Sequence, residues 1–165
     1  MTDTKASGNG TSQTTPPASR QVQVRVVGQY IKDLSFENPG VGKPADAADK
    51  PNLRIEVNVN GGKTGERIYE SALQFRAEAS VSSGVLYVLE LVYAGMFEIE
   101  NMPEEALEQF LLINCPTLIF PFARRLIADL TREGGFPPLL LDPIDFGALY
   151  LHRQQQAQAQ KPITA

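Results

Sequence analysis

The chain has few of the side chains that usually carry catalysis or bind metals: its 165 residues include one cysteine, one histidine and no tryptophan. The single cysteine, Cys115, excludes an internal disulfide, which fits a reducing compartment. A zinc site needs three or four ligands of a kind that this chain supplies once each. A nucleophilic thiol would have to meet His152, but the apolar stretch before Cys115 and the proline after it favour a buried thiol. We therefore expect no metal, no cofactor and no enzymatic activity.

Positive charge is also scarce. The formal net charge is -4, and no lysine or arginine lies between Arg76 and Arg124. Nucleic-acid binding depends on clustered basic side chains, so this composition argues against a nucleic-acid partner. A charged partner, if there is one, is expected to be basic.

Long apolar runs are missing from the sequence as well. The first twenty residues, MTDTKASGNGTSQTTPPASR, contain no apolar signal region, and no later run approaches the ~18 apolar residues of a membrane span. We expect a cytoplasmic protein with no direct membrane insertion. Residues 1–20 should form a disordered tail, 21–153 one domain, and 154–165 a tail rich in glutamine and alanine.

Alternation of apolar and polar residues predicts four strands. The second runs from Leu53 to Val59 and should end at an Asn60-Gly61-Gly62 turn. The fourth begins near Val85. The third begins near Tyr69 and is predicted to point four polar residues outward: Glu70, Gln74, Arg76 and Glu78. The first strand is predicted to place six apolar side chains on one face: Val22, Val24, Val26, Tyr30, Leu34 and Phe36.

The second face of the fourth strand is unusually apolar. Four apolar side chains surround the single charge of Glu90, whereas a solvated face of an antiparallel sheet should be more polar. Two interpretations remain open, a locally covered edge or a contact surface for another chain. The four side chains are Leu86, Val88, Val92 and Met96.

Helices are predicted after the strands. Pro103 with Glu104 and Glu105 is typical of a first helical turn, and Pro116 is expected to interrupt that helix. A second helix should run from Thr117 to Glu133. Its apolar residues at a spacing of four are interpreted as core or subunit-interface residues: Leu118, Phe122, Leu126 and Leu130.

The last part of the chain should be extended and then helical. Three prolines make the segment 136–144 extended, and Asp145 can cap a final helix that reaches Leu151 and then frays. Four meandering strands followed by helices predict an α+β domain, a four-stranded antiparallel sheet with helices packed on one face.

Carboxylates are the remaining candidates for acid-base chemistry. Asp33 and Glu37 share one face of the first strand, about 14 Å apart at ~3.4 Å per residue, which is too far for a catalytic pair. They are either solvated strand charges or, together with Glu90, an acidic docking patch.

Three segments resemble the SecB family of protein-export chaperones: YIKDLSFENP (30–39), CPTLIFPFARRLI (115–127) and GGFPPLLLDPIDFGALY (134–150). The resemblance covers about residues 22–152. It implies a cytoplasmic, ATP-independent chaperone that holds unfolded secretory precursor proteins for the SecA motor. It also implies a homotetramer built as a dimer of dimers.

The resemblance further implies a SecA-docking surface on an exposed sheet face. The acidic positions of the family's KD-x-SFE motif correspond to Asp33 and Glu37, and a glutamate of the family's fourth strand corresponds to Glu90. Val88 stands where relatives usually have leucine.

Two apolar surfaces complete the predicted sites. The apolar arc of the first helix exceeds what one sheet face can cover, which assigns an oligomer interface to Leu107, Phe110, Leu111 and Ile113. Relatives place an aromatic residue just before the proline that opens strand two, but this chain has Asp49 and Lys50 before Pro51. The client-binding candidates are Phe36, Phe136, Leu141, Ile144, Phe146 and Tyr150.

Two other classes of function compete with a chaperone. One is a small hydrolase that uses Cys115. The other is an adaptor or interaction module that docks partners on an acidic face without holding unfolded chains.

Overall fold

A computed structural model of the chain describes residues 20–42 and 49–159. The predicted N-terminal tail, apart from its last residue, lies outside the described residues, as do residues 160–165 of the predicted C-terminal tail. Four strands come first, and helices follow. The strands are β1 (Gln23–Glu37), β2 (Asn52–Lys63), β3 (Ile68–Val81) and β4 (Gly84–Glu100).

The strands form one antiparallel sheet in the order β1-β4-β3-β2. The α+β class is confirmed, but the meander holds only for β2 to β4. The prediction that β1 continues the meander was wrong, because β1 pairs with β4 rather than with β2. A long connection can carry the chain from one edge of a sheet to the other, and this order is that of a Greek key.

Two register shifts in β1 change which side chains share a face. They lie between Val26 and Gly28 and between Ile31 and Asp33. Each inserts one extra residue and reverses the alternation, as β-bulges do. Tyr30 therefore points away from the side shared by the other apolar residues of β1, contrary to the prediction, and its hydroxyl donates a hydrogen bond to Glu70.

The predicted turn at Gly61-Gly62 was wrong. β2 continues to Lys63, and the chain reverses afterwards, where the amides of Thr64 and Gly65 donate to the carbonyl of Ile68. Gly61 lies under a helix, and a Cβ atom there would be 3.0 Å from Cβ of Leu111. The glycine therefore admits a close helix rather than a turn.

The helical region is continuous from Glu104 to Glu133. It consists of α1 (Glu104–Gln109), a π-helical segment (Phe110–Asn114) and α2 (Cys115–Glu133). The predicted interruption at Pro116 was wrong. The wider π turn lets the helix pass a proline, which lacks an N–H and clashes in regular α geometry.

The π segment leaves one carbonyl without its helical donor. The N–H of Cys115 donates to the carbonyl of Phe110. In the same register the Leu111 carbonyl would need an N–H from Pro116, which has none. The hydroxyl of Ser71 donates to it instead, at 2.8 Å. Ser71 is fully buried, so this bond satisfies a carbonyl that water does not reach.

Small residues let the helix lie this close to the sheet. Gly61 of β2 pairs with Ser71 of β3, which pairs with Gly95 of β4, forming a row of small residues across three strands. A Cβ at Gly95 would be 2.9 Å from Cγ2 of Ile119. The row therefore forms a shallow groove across the sheet. The helix crosses the sheet at this groove, because larger side chains there would collide with Leu111 and Ile119.

The buried face of α2 differs from the predicted stripe. Leu118 and Phe122 are 50% and 46% exposed, so they are not core residues, and the other predicted role, a subunit interface, stays a prediction for them. Leu126 and Leu130 are half-buried. The residues of α2 that are buried are Cys115, Pro116, Ile119, Phe120, Ala123, Ile127 and Thr131.

The extended segment after α2 leads to α3 (Phe146–Ala159). The N–H of Leu139 donates to the buried hydroxyl of Thr131 at 2.8 Å. Asp145 caps α3, as predicted, by accepting the N–H of Ala148 at 2.9 Å. α3 continues to Ala159, past residue 154, where the tail was predicted to begin, and Arg153 donates to the Val59 carbonyl on the edge of β2.

Because it is continuous, the segment Glu104–Glu133 is long and apolar enough to cross a membrane by length and composition. This differs from the expectation that no segment approaches that length. The buried side chains of α2 pack against the sheet, as in the core helix of a globular domain, so length and composition are weak evidence for a membrane span.

Replacing Ser71 with alanine should lower the free energy of unfolding by about 1–3 kcal/mol, because the buried Leu111 carbonyl loses its donor. Urea denaturation followed by circular dichroism, at one fixed protein concentration, measures the loss. Ser83→Ala, in the exposed β3–β4 turn, is the matched control and should change stability little. In a Pro116→Ala background residue 116 can donate, so the cost of Ser71→Ala should shrink. Equal costs in both backgrounds would contradict this account.

Candidate functional site

The described helices pack on one face of the sheet, where the core lies. We call the other side the open face. The register places all four predicted docking residues on it: Glu37 pairs with Val88, Ser35 with Glu90, and Asp33 with Val92. The structure thus brings together on two adjacent strands residues that are far apart in sequence.

The apolar side chains on this face are only partly covered. The N–H of Gly40 donates to the Leu86 carbonyl at 3.1 Å, and Leu86 is buried. Val88, Val92 and Met96 stay half-buried. Leu86 does not share this face as predicted, because a register shift makes it an extra residue of β4 and its side chain packs with Ala79 and Tyr87. Val88, Val92 and Met96 lie among the charges of the open face.

Charges on the open face fall into two halves. In the half near Met96, which we call the balanced half, every acid of β3 and β4 has a cation. Lys32 bonds Glu70 at 2.6 Å, and Arg25 bonds Glu98 at 2.6 Å. Glu100 pairs with Arg67 in the same region. The bond from Lys32, followed by that from Tyr30, lowers the pKa of Glu70.

The other half, which we call the acidic half, has more acids than bases. Its cations are Arg54 and Arg76. Among the described residues, Asp33 and Glu37 form no ion pair there. The acids of this half are Asp33, Glu37, Glu56, Glu78 and Glu90, so its charge is negative while the other half is neutral.

Arg76 lies at the centre of the acidic half. It pairs across the strands with Glu56 on one side and Glu90 on the other. Its guanidinium donates to Glu90 and, at 3.4 Å, to Glu78. The hydrogen bond to Glu90 raises the pKa of Arg76, so the side chain stays charged.

Sequence reasoning missed Arg76, although the alternation on β3 had already placed it on the outward face. Only the strand register shows that it lies opposite Glu90. Asp33, Arg76 and Glu90 line one shallow depression of about 200 Å³.

On the helix-bearing side, two of the predicted client-binding residues belong to an aromatic cluster. Phe36 stacks on Tyr87 with ring centroids 5.7 Å apart, and the ring centroid of Phe136 lies 4.8 Å from that of Tyr87. Phe36 and Phe136 are half-buried, and Tyr87 is buried, which raises the pKa of its hydroxyl. The cluster offers partly accessible ring surface.

The other predicted client-binding residues differ in access. Leu141 and Phe146 are 6% and 3% exposed, and Phe146 packs edge-on against Phe120, so neither offers surface to a client in this conformation. Ile144 and Tyr150 are half-buried. Tyr150 lines a groove of about 370 Å³ between α3 and β2.

The segment just before Pro51 is held by contacts of Asp49. Asp49 accepts hydrogen bonds from the amide and hydroxyl of Ser82, at 2.9 and 2.5 Å. These bonds lower the pKa of Asp49. They tie the chain before Pro51 to the β3–β4 turn.

The residues of the predicted oligomer interface are partly covered by the core of their own subunit. Leu111 is 5% exposed and packs in the core, while Leu107, Phe110 and Ile113 are half-buried against it. Larger uncovered apolar area lies elsewhere on the helix-bearing side. It is contributed by Val24, Val26, Ile31 and Leu34 of β1 and by Leu118 and Phe122 of α2.

Cys115 and His152 do not form a catalytic pair in the structure. Cys115 is fully buried, and burial raises the pKa of its thiol to about 12. His152 is exposed on α3. Within residues 20–42 and 49–159, no group of three or more histidine, cysteine, aspartate or glutamate side chains is placed to hold a metal ion.

Comparison with known proteins identifies the family to which the chain belongs. The sequence profile described as Preprotein translocase subunit SecB matches residues 17–157. Protein-export protein SecB of Hyphomonas neptunium is 49% identical over 157 residues, covering 95% of this chain and 93% of the relative. The corresponding protein of Parvibaculum lavamentivorans is 47% identical, with 94% and 91% covered.

A solved structure shares the fold. The SecB-like chaperone of Mycobacterium tuberculosis, in complex with a peptide from the HigA1 antitoxin, has a TM-score of 0.62 at 12% identity and covers 73% of this chain and 90% of its own. The identity is too low to show more than the fold. The profile match and the relatives at nearly half identity show that the chain belongs to the SecB family of protein-export chaperones.

Proposed function

We propose that the protein is an ATP-independent cytoplasmic chaperone that holds unfolded secretory precursors and delivers them to the SecA motor. The observation that carries the proposal is the charge division of the open face. Acids outnumber bases where the family's docking positions fall: Asp33 and Glu37 form no ion pair among the described residues, and Glu90 shares Arg76 with Glu78, while the balanced half has a cation for each acid. A basic surface of SecA would be attracted to this half.

Client holding would use the helix-bearing side. Apolar contact contributes ~25 cal/mol per Å² of buried surface and needs neither base nor nucleophile. The aromatic cluster of Phe36, Tyr87 and Phe136 supplies part of that surface. Preferential binding to the unfolded state keeps a client from folding by mass action.

A homotetramer, built as a dimer of dimers, is part of the proposal. The uncovered apolar side chains of β1 and α2 support it, because a lone subunit leaves them in water. β1 is also an edge strand whose outer side has no described neighbour. These residues support self-association better than Leu111, which its own chain already covers.

A denatured client diluted into buffer without nucleotide should refold more slowly when the protein is present. Phe136→Ala should weaken client binding by roughly five- to tenfold, since truncating a central aromatic removes contact area. Leu151→Ala, an exposed site on α3 outside the cluster, is the control. Client refolding at its unassisted rate would reject the chaperone proposal and leave the adaptor alternative.

Reversing Asp33, Glu37 and Glu90 together to lysine should weaken SecA binding at least about tenfold, because attraction becomes repulsion. Calorimetric titration measures the affinity, and light scattering checks that the tetramer persists. A control with the same change in net charge reverses three exposed acids elsewhere, Glu66, Glu108 and Glu133. Similar weakening in both variants would reject docking on the acidic half.

The proposal includes the absence of enzymatic activity. With its pKa near 12, the Cys115 thiol has almost no thiolate at pH 8, so iodoacetamide should modify it far more slowly than free cysteine. Reaction should become fast in urea, when the thiol is exposed and its pKa returns to the ordinary value. Mass spectrometry follows the modification. Rapid alkylation of the folded protein with loss of a hydrolase activity would favour the catalytic alternative.

A further inference from the structure

The strongest unassigned feature of the molecule is the position of Arg76 among the docking carboxylates. Its guanidinium bonds both Glu90 of β4 and Glu78 of its own strand. It is also the cross-strand neighbour of Glu56. Arg76 therefore already fills the place that a partner's cation would need at Glu90.

We infer that Arg76 is an internal competitor for SecA docking: a basic segment of the partner takes its place at Glu90. This inference rests on the proposed docking function and adds the residue that tunes it. Asp33 and Glu37 attract a cation without giving up a bond within the described chain, whereas Glu90 is already bonded to Arg76 through Oε1. The side chain of Arg76 is 43% exposed, so it can turn into solvent when it is displaced.

The exchange has two consequences for binding. One ion pair breaks as another forms at Glu90, so the net gain there is small. The number of ion pairs changes little at this position, so its contribution to the salt dependence is small too. Removing Arg76 should make Glu90 available to the partner. Both the binding affinity and its salt dependence should then increase.

A neighbouring arginine provides a matched control. Arg54 lies on the same face and pairs with Glu56 at 3.0 Å, not with Glu90. Arg54→Gln and Arg76→Gln each remove one positive charge from the acidic half. Their effects on long-range attraction should match, so a difference between them reports competition at Glu90.

The experiment titrates the full-length tetramer with purified SecA at low and at physiological salt, by calorimetry. Arg76→Gln should bind about three- to fivefold more tightly than wild type at low salt, with a steeper salt dependence, and Arg54→Gln less than about twofold more tightly. Equal changes in the two variants would overturn the inference. Weaker binding of Arg76→Gln would also overturn it, since Arg76 would then contact the partner directly.

A second probe separates this inference from the docking proposal. A synthetic lysine-rich peptide is titrated in parallel, with the amide signals of Glu90 and Arg76 followed by NMR. If wild type does not bind SecA, the docking proposal is wrong, and the peptide alone decides the inference. Tighter peptide binding by Arg76→Gln than by Arg54→Gln would then support competition, and equal binding would exclude it.

Discussion

The close approach of the long helix to the sheet, at the row formed by Gly61, Ser71 and Gly95, is the constraint on which the rest of the structure depends. No side chain in this row is larger than the hydroxymethyl group of serine, so the helix can pack directly against the strands. The Ser71 hydroxyl then replaces the donor that Pro116 cannot supply. The helix therefore continues through Pro116 and covers the middle of the sheet.

Because the long helix covers only the middle of the sheet, apolar side chains at the β1 edge and on the outer side of α2 remain exposed. The apolar side chains of β1 and the outer flank of α2 stay exposed on the helix-bearing side, next to a core that is already closed. The open face carries charges, whose balance in one half and acid excess in the other follow from the strand register. One sheet thus carries exposed apolar area on its helix-bearing side and an acidic half on its open face, and neither surface is part of the core.

Much of this organisation could be predicted from the sequence, and the failures have physical causes. The alternation gave the correct inward and outward faces on β3 as far as Ala79 and on β4 from Tyr87 onward, because both strands are central and their pairing is regular there. It misplaced Leu86, which the register shift between Ala79 and Ser80 makes an extra residue of β4. On β1 the same reasoning misplaced Tyr30, because bulges carry no sequence signature in a strand rich in valine. Gly61 and Pro116 were interpreted by their local preferences, as a turn and a helix break, whereas packing decided both.

The sequence by itself determined the class of fold and the family, since these depend on local periodicity and on specific strings of residues. Only the tertiary structure decided the strand order, the burial of Leu111, Leu141 and Phe146, and the pairing of Arg76 with Glu90. These depend on which segments meet across the sheet. Contacts between residues distant in the chain are set by the balance of packing over the whole domain, which no local pattern records.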